Sequence, residues 1–158
     1  HTSGDGAVAI DISDDALKVA DYNKKYNNAD YIKLIKSDMF SSSECEQYKN
    51  EDNRFDVIVS NPPYIPTKDI DELSEEVRLH DPVLALDGDT DGLKFYKAIT
   101  KQSVNYLKEN GYLCYEIGYN QAEDVRNIME QCGYSGIKVI KDLAGLDRVV
   151  IGRLNNIN

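Results

Sequence analysis

The sequence alternates short apolar runs with stretches of helical periodicity, and this alternation restricts the possible folds more than any other feature. The clearest run is residues 55–60 (FDVIVS), which Asn61-Pro62-Pro63 ends abruptly because neither proline can donate to a sheet ladder. Similar runs at residues 7–10, 31–37 and 112–117 predict further strands. Strands separated by helices predict an α/β fold with a mostly parallel sheet that is covered on both faces.

Helical signals separate these runs. Ser13 is a predicted N-cap, and the helix that follows it should run to about Tyr26. A second helix is predicted from the apolar residues that share one helical face, and Gly111 is predicted to end it. These apolar residues are Leu93, Tyr96, Ile99, Val104 and Leu107. Residues 121–131 predict a third helix, and strands at 137–141 and 148–154 predict a closing antiparallel hairpin. Residues 65–92 form an acidic, irregular excursion of the kind that often carries function.

Polar residues follow three of the predicted strands: Asp11, Asp38 and Asn61. Ligands of parallel sheets bind at the carboxyl ends of the strands, so these residues are the first functional signal. Asp11 suits the two hydroxyls of a ribose, or it caps the following helix, although Ser13 already suits that role. Asp38 suits an adenine amino group, with Met39 against the ring, or it is a solvated loop carboxylate.

The motif Asn61-Pro62-Pro63-Tyr64 suits a planar NH2 group. Asn-Pro is also a common turn at a strand end, so a purely structural role stays open. An amide or aniline-like nitrogen is a poor nucleophile because its lone pair is delocalised. The Asn61 side-chain carbonyl and the Pro62 backbone carbonyl can accept both N–H bonds, aim the nitrogen at an activated methyl group and stabilise its developing positive charge. Pro62 and Pro63 keep these oxygens rigid, and Tyr64 can stack on the planar group.

Composition argues against several other functions. The sequence contains no apolar run of roughly eighteen residues, so it predicts no membrane span. With two histidines and three widely separated cysteines, we expect no metal site, no disulfide framework and a cytoplasmic location. Binding to phosphate backbones normally requires a basic face, so a net charge of −10 disfavours nucleic acid and favours a protein or small-molecule substrate.

A series of motifs runs in order through nearly the whole chain, from about Ala7 to Arg153: VAIDIS, SDMF, FDVIVSNPPYI, VRLHDPVLALDGDTDGLKFYKAI, LCYEIGYNQAEDV and DLAGLDRVVIGR. The series resembles the HemK/PrmC family of release factor glutamine methyltransferases. NPPY alone is shared with adenine-directed methyltransferases, whereas ALDG-x-x-DGL-x-x-Y and D-x-A-G-x-D-R-x-x-x-G-R are more particular. The resemblance implies a class I S-adenosylmethionine-dependent methyltransferase, with a Rossmann-like sheet that ends in an antiparallel hairpin.

The resemblance also implies a reaction, in which a methyl group passes to the side-chain amide nitrogen of the glutamine in the Gly-Gly-Gln motif of peptide chain release factors. Carried over by position, Asn61 and Pro62 would be catalytic, and together with Pro63 and Tyr64 they would form the glutamine pocket. Release factors are therefore the expected protein partners.

The cofactor site is carried over in the same way. Asp11 would bind the ribose of S-adenosylmethionine, Asp38 and Met39 would lie near the adenine, and Asn61 would touch both cofactor and substrate. The family usually has Trp or another large residue where Met39 stands, so the resemblance implies weaker packing on the adenine.

The family further carries a helical N-terminal domain and a first central strand with a Gly-rich turn, and we expect residues 1–158 to lack both. Gly4-Asp5-Gly6 imitates that turn, but the residues after it match the region beyond the family's second strand. The opening His1-Thr2-Ser3-Gly4, without Met, fits a tag remnant, a cleaved product or a fragment. We therefore expect an N-terminally truncated catalytic domain that binds S-adenosylmethionine poorly by itself and can self-associate to cover the exposed sheet edges.

Two other functions stay open at this point. An amino-methyltransferase acting on adenine or guanine of nucleic acid would also use NPPY. A catalytically silent fragment with an interaction or structural role is favoured by the missing Gly-rich turn.

Overall fold

The structure is a computed structural model that describes residues 6–80 and 82–155. Gly4 and Asp5, which imitate a Gly-rich turn in the sequence, lie outside the described residues. The chain divides into two compact units, residues 1–50 and 51–158. Within the described ranges, no helix has both the length and the apolar character that a membrane span needs.

The first unit is a strand–helix–strand element. Its elements are β1 (Ala7–Asp11), α1 (Asp14–Tyr26), β2 (Ile32–Lys36) and a 3₁₀ helix (Ser43–Lys49). β1 and β2 pair in parallel, as the sequence predicts. Ser13 is the N-cap of α1, and its hydroxyl accepts a hydrogen bond from the Ala16 N–H at 3.2 Å. The predicted cap is therefore confirmed.

The second unit holds the longer part of the fold. Its elements are a 3₁₀ helix (Glu51–Asn53), β3 (Phe55–Ser60), a 3₁₀ helix (Thr67–Glu72), α2 (Glu75–His80), α3 (Val83–Leu86), α4 (Lys94–Ser103), β4 (Leu107–Glu116), α5 (Ala122–Gln131), β5 (Tyr134–Lys141) and β6 (Asp147–Leu154). The sheet order is β3-β4-β6-β5. β3 and β4 are parallel, whereas β6 is antiparallel to both β4 and β5. The closing hairpin is confirmed, and it makes this sheet mixed rather than mostly parallel.

The helix predicted to extend to Leu107 is shorter in the structure. α4 ends at Ser103, and Leu107 begins β4, where it pairs with Phe55. The prediction that Gly111 stops a helix was wrong, because Gly111 lies inside β4. Leu107 kept the helical spacing because it is fully buried in the core, and a buried residue at the right interval imitates the apolar face of a helix.

Helices α4 and α5 bury their apolar faces in the core of the second unit. The rings of Tyr96 and Tyr115 meet edge to face, with centroids 5.1 Å apart. Two buried hydrogen bonds between hydroxyl groups lie in the same core. One joins Thr100 and Tyr115 at 2.8 Å, and the other joins Ser103 and Tyr134 at 2.7 Å. Burial raises the pKa of Tyr134 to about 12, so this hydroxyl stays protonated at neutral pH.

The described strands form two separate sheets, where the alternation predicted one. β3 is an edge strand of the second sheet. Val57 and Val59 lie on one face of β3 because side chains alternate along a strand, and they are 49% and 76% exposed. The exposed apolar side chains of this edge strand agree with the expectation that the chain has exposed sheet edges. Self-association stays a prediction.

Candidate functional site

The first unit brings Asp11 and Asp38 to one edge of its sheet. Asp11 ends β1, Asp38 follows β2, and the Ser37 N–H donates to the Asp11 carbonyl oxygen at 3.0 Å. Both carboxylates are exposed. Asp11 Oδ1 accepts from the Ser13 N–H at 2.8 Å. Among the described residues no donor reaches Asp11 Oδ2, so this oxygen is available to a ligand hydroxyl.

A tight turn follows β2. The Ser41 N–H donates to the Asp38 carbonyl oxygen at 3.1 Å, and Met39 has a φ of 50°, in the left-handed region that non-glycine residues rarely adopt. Met39 is half-buried. The turn therefore fixes the backbone at Asp38 and Met39, an exposed acidic residue followed by a half-buried apolar one.

A cavity of about 380 Å³ also lies in the first unit. Its lining comes from the C-terminal half of α1 and from residues 29–34 around the start of β2. Asp11, Asp38 and Met39 do not line this cavity, so it is not where the sequence places the cofactor residues. We assign the candidate site to the carboxylates because their chemistry, unlike the mainly apolar cavity wall, is specific.

In the second unit, Asn61 follows the carboxyl end of β3. Its side chain is exposed, and among the described residues nothing donates to or accepts from its amide. Pro62 is buried, and Pro63 and Tyr64 are half-buried. Asn61 thus presents its side-chain carbonyl to solvent, while the next residues are packed against the fold. This arrangement is the one that an acceptor for a substrate NH2 group needs.

The residues after Tyr64 are held by backbone hydrogen bonds to the end of α3 and the turn that follows it. The Ile65 N–H donates to the Leu86 carbonyl oxygen at 3.0 Å, and the Gly88 N–H donates to the Ile65 carbonyl oxygen at 2.8 Å. The excursion at residues 65–92 therefore returns to the Asn61–Tyr64 motif, although the sequence predicted only an irregular segment.

Gln121 is a second polar residue at this edge. It is 7% exposed and immediately precedes α5. Its Nε2 donates to the Tyr64 carbonyl oxygen at 3.0 Å and to the Gly92 carbonyl oxygen at 3.4 Å, and its Oε1 accepts from the Gly118 N–H at 3.0 Å. Sequence reasoning missed this role. Gln is not among the residues that favour the N-cap position of a helix. Its presence immediately before α5 was therefore the one sign in the sequence that its side chain has another role.

Tyr96 completes the surroundings of Gln121. Its single hydroxyl hydrogen donates to the Glu116 carbonyl oxygen at 3.0 Å, and Gln121 Oε1, at 3.5 Å, is a weaker second acceptor of the same hydrogen. Burial raises the pKa of this hydroxyl, and the proximity of Tyr64 and Glu116 raises it further. Tyr96 therefore remains a neutral donor at the carboxyl end of β4.

The hairpin between β5 and β6 reaches the same end of β4. Arg148 Nη2 donates to Asp142 Oδ2 at 3.2 Å, and Nη1 donates to the Ile117 carbonyl oxygen at 3.4 Å. The hydrogen bond to Asp142 raises the pKa of Arg148. Arg148 therefore links the hairpin to the backbone just after β4. In the described part of the chain, no group of His, Cys, Asp and Glu side chains is arranged to hold a metal ion.

Comparison with known proteins identifies the family. A family model described as the Eco57I restriction-modification methylase matches residues 7–128. The chain belongs to this methylase family. The match begins at β1 and ends within α5, so it contains Asp11, Asp38 and the Asn61 motif but stops before the hairpin.

Curated relatives refine this assignment. The release factor glutamine methyltransferase of Fusobacterium nucleatum is 41% identical over 91% of this chain and 39% of its own length. That of Clostridium acetobutylicum is 40% identical over 89% of this chain and 48% of its own length. The chain spans no more than about half the length of these relatives. They confirm the resemblance to the HemK/PrmC family.

A solved structure supports the fold class. The crystal structure of a methyltransferase from Pyrococcus furiosus matches 96% of this chain and 64% of its own chain, with a TM-score of 0.65 at 17% identity. The class I methyltransferase fold is therefore confirmed. The roles of individual site residues stay predictions.

Proposed function

We propose that the chain is the catalytic part of an enzyme that methylates the side-chain amide nitrogen of a glutamine in peptide chain release factors. The glutamine is the one in the Gly-Gly-Gln motif. The observation that carries the proposal is the exposed Asn61 amide at the end of β3, which has no hydrogen-bond partner within residues 6–80 and 82–155 and is followed by a buried proline. The names of the relatives supply the substrate class.

The two acceptor oxygens would orient the substrate nitrogen and stabilise the charge that develops on it. The substrate amide would donate one N–H to the Asn61 side-chain oxygen and the other to the Pro62 carbonyl oxygen, which holds the nitrogen in one orientation. S-adenosylmethionine supplies a sulfonium-bound methyl group. As the nitrogen gains positive charge, the same oxygens stabilise it more strongly than they stabilise the neutral amide, so they lower the barrier.

The cofactor residues fit this donor by their chemistry. Asp11 has one carboxylate oxygen available for a ribose hydroxyl, and Asp38 has an exposed carboxylate that suits an adenine amino group. Met39, the next residue in the chain, adds a half-buried apolar side chain. We propose that these residues of the first unit bind S-adenosylmethionine. Calorimetry should measure weak cofactor binding by residues 1–158 alone, and tight binding would contradict that expectation.

A second function has a specific observation in its favour. The matching family model is named for a restriction-modification methylase, which fits amino-methyl transfer to DNA. The net charge of −10 argues against a phosphate-rich substrate, and the curated relatives carry the other name. Protein methylation therefore remains the preferred proposal.

The test uses full-length protein and tritiated S-adenosylmethionine. One arm supplies release factor, a second supplies release factor whose Gly-Gly-Gln glutamine is replaced by glutamate, and a third supplies double-stranded DNA. We expect label only in the first arm. Label in the DNA arm alone would favour the second function. Label in no arm, from folded protein that binds the cofactor, would support a catalytically silent chain.

A further inference from the structure

Gln121 makes four side-chain hydrogen bonds, and these determine which way its amide points. The Gly118 N–H can only donate, so it must face Oε1. The carbonyl oxygens of Tyr64 and Gly92 can only accept, so they must face Nε2. Both donor hydrogens of the amide are used. No carboxylate or alkyl side chain of this size could satisfy the same partners.

The three glycines around Gln121 leave no spare room. A Cβ at Gly92, where φ is 72°, would lie 2.4 Å from the Tyr64 carbonyl oxygen. A Cβ at Gly88 would lie 2.8 Å from Tyr64 Cα, and one at Gly118 would lie 2.8 Å from Gln121 Oε1. The backbone of Tyr64 is therefore enclosed by glycine backbone and by one amide side chain.

From this junction we infer that Gln121 is a positioning residue for the methyl-transfer site. β3 holds one end of the Asn61–Tyr64 motif, because Ser60 pairs with Tyr115. Gln121 holds the other end at the Tyr64 carbonyl oxygen. The two prolines between these anchors restrict φ, so a shift at Tyr64 is passed to the Pro62 carbonyl oxygen. The inference rests on the proposed function, in which that oxygen accepts a substrate N–H.

The sharpest variant is Gln121→Asn in the full-length protein. Asn keeps an amide and is favoured at the residue before a helix, so α5 retains its start. Its side chain is one methylene shorter and cannot reach the Tyr64 carbonyl oxygen from the same backbone position. Gln121→Glu is a second variant, since a carboxylate would face two carbonyl oxygens. Gln131→Glu, at the exposed end of the same helix, is the matched control.

Two measurements are made on each variant. Hydrogen exchange at the Gly118 amide reports the contact itself, and steady-state methylation of release factor reports its consequence. A displacement of about 1 Å at reacting groups costs on the order of 100-fold in rate. We therefore expect Gln121→Asn to accelerate Gly118 exchange and to lower kcat at least ten-fold, with a smaller change in KM. Cofactor affinity and the control should be unchanged.

The outcomes separate the inference from the function on which it rests. Faster exchange with unchanged kcat would leave Gln121 a purely structural residue and overturn the inference. Unchanged exchange would overturn the contact. If Gln121→Asn does not fold, Gln121→Glu is measured in its place by kcat and KM alone, because its carboxylate still accepts from the Gly118 N–H. Absence of release factor methylation by the unsubstituted protein would instead contradict the proposed function, while the exchange measurement still tests the contact.

Discussion

Asn61→Ala tests the acceptor role of the Asn61 side chain. This side chain is exposed and has no partner among the described residues, so its removal should change the free energy of unfolding by less than about 0.5 kcal/mol. Removal of one preorganised hydrogen-bond partner from a charge-developing site costs roughly 3 to 4 kcal/mol of transition-state stabilisation. We therefore expect kcat to fall about 100- to 1,000-fold while the protein remains folded.

The assay is methyl transfer from tritiated cofactor to release factor by the full-length protein, with urea unfolding measured in parallel. Asn61→Asp is informative, because a carboxylate keeps the acceptor oxygens and should retain more activity than alanine. Asn127→Ala, an exposed substitution on α5, is the matched control and should have the wild-type kcat. Turnover by Asn61→Ala within a factor of three of wild type would refute the reasoning.

Three further predictions concern the framework of the site. Thr100→Val and Tyr115→Phe each leave a buried hydroxyl without its 2.8 Å partner and should cost about 1 to 3 kcal/mol in urea unfolding, while the double variant should cost less than the sum. An additive result would contradict a direct interaction. In Gly92→Ala the added Cβ would lie 2.4 Å from the Tyr64 carbonyl oxygen, and alanine would be strained at a φ of 72°. Thermal unfolding should therefore show that the free energy of unfolding falls by at least about 1 kcal/mol. The hydrogen bond from the Leu146 N–H, and after it the one from Arg148, lowers the pKa of the Asp142 carboxyl group in the folded protein. The ionised carboxylate therefore stabilises the fold above the unfolded-state pKa, and this stabilisation is lost as the pH falls through the lower folded-state pKa. The difference in melting temperature between wild type and Asp142→Asn should accordingly shrink below about pH 4, and a constant difference would exclude this cause.

Local patterns in the sequence were sufficient for much of the fold and for the position of the candidate residues. Ser13 caps α1 because a hydroxyl before two acidic residues suits a helix start wherever that helix lies. Asn61 ends β3 because two consecutive prolines cannot extend a ladder. Asp11 and Asp38 share an edge because the strands that precede them pair in parallel.

Tertiary structure decided what local patterns could not. Leu107 belongs to a strand, because its pairing with Phe55 outweighs its helical spacing. Gln121 holds Tyr64 from 57 positions away, and no periodicity in the sequence encodes a contact between a side chain and a distant carbonyl oxygen. Within the described residues the strands form two sheets, because hydrogen-bond pairing depends on which strand lies alongside rather than on the sequence of the strand itself. Residue types and their order thus predicted the chemistry, whereas the hydrogen bonds that hold the backbone of Asn61–Tyr64 in place follow only from the folded chain.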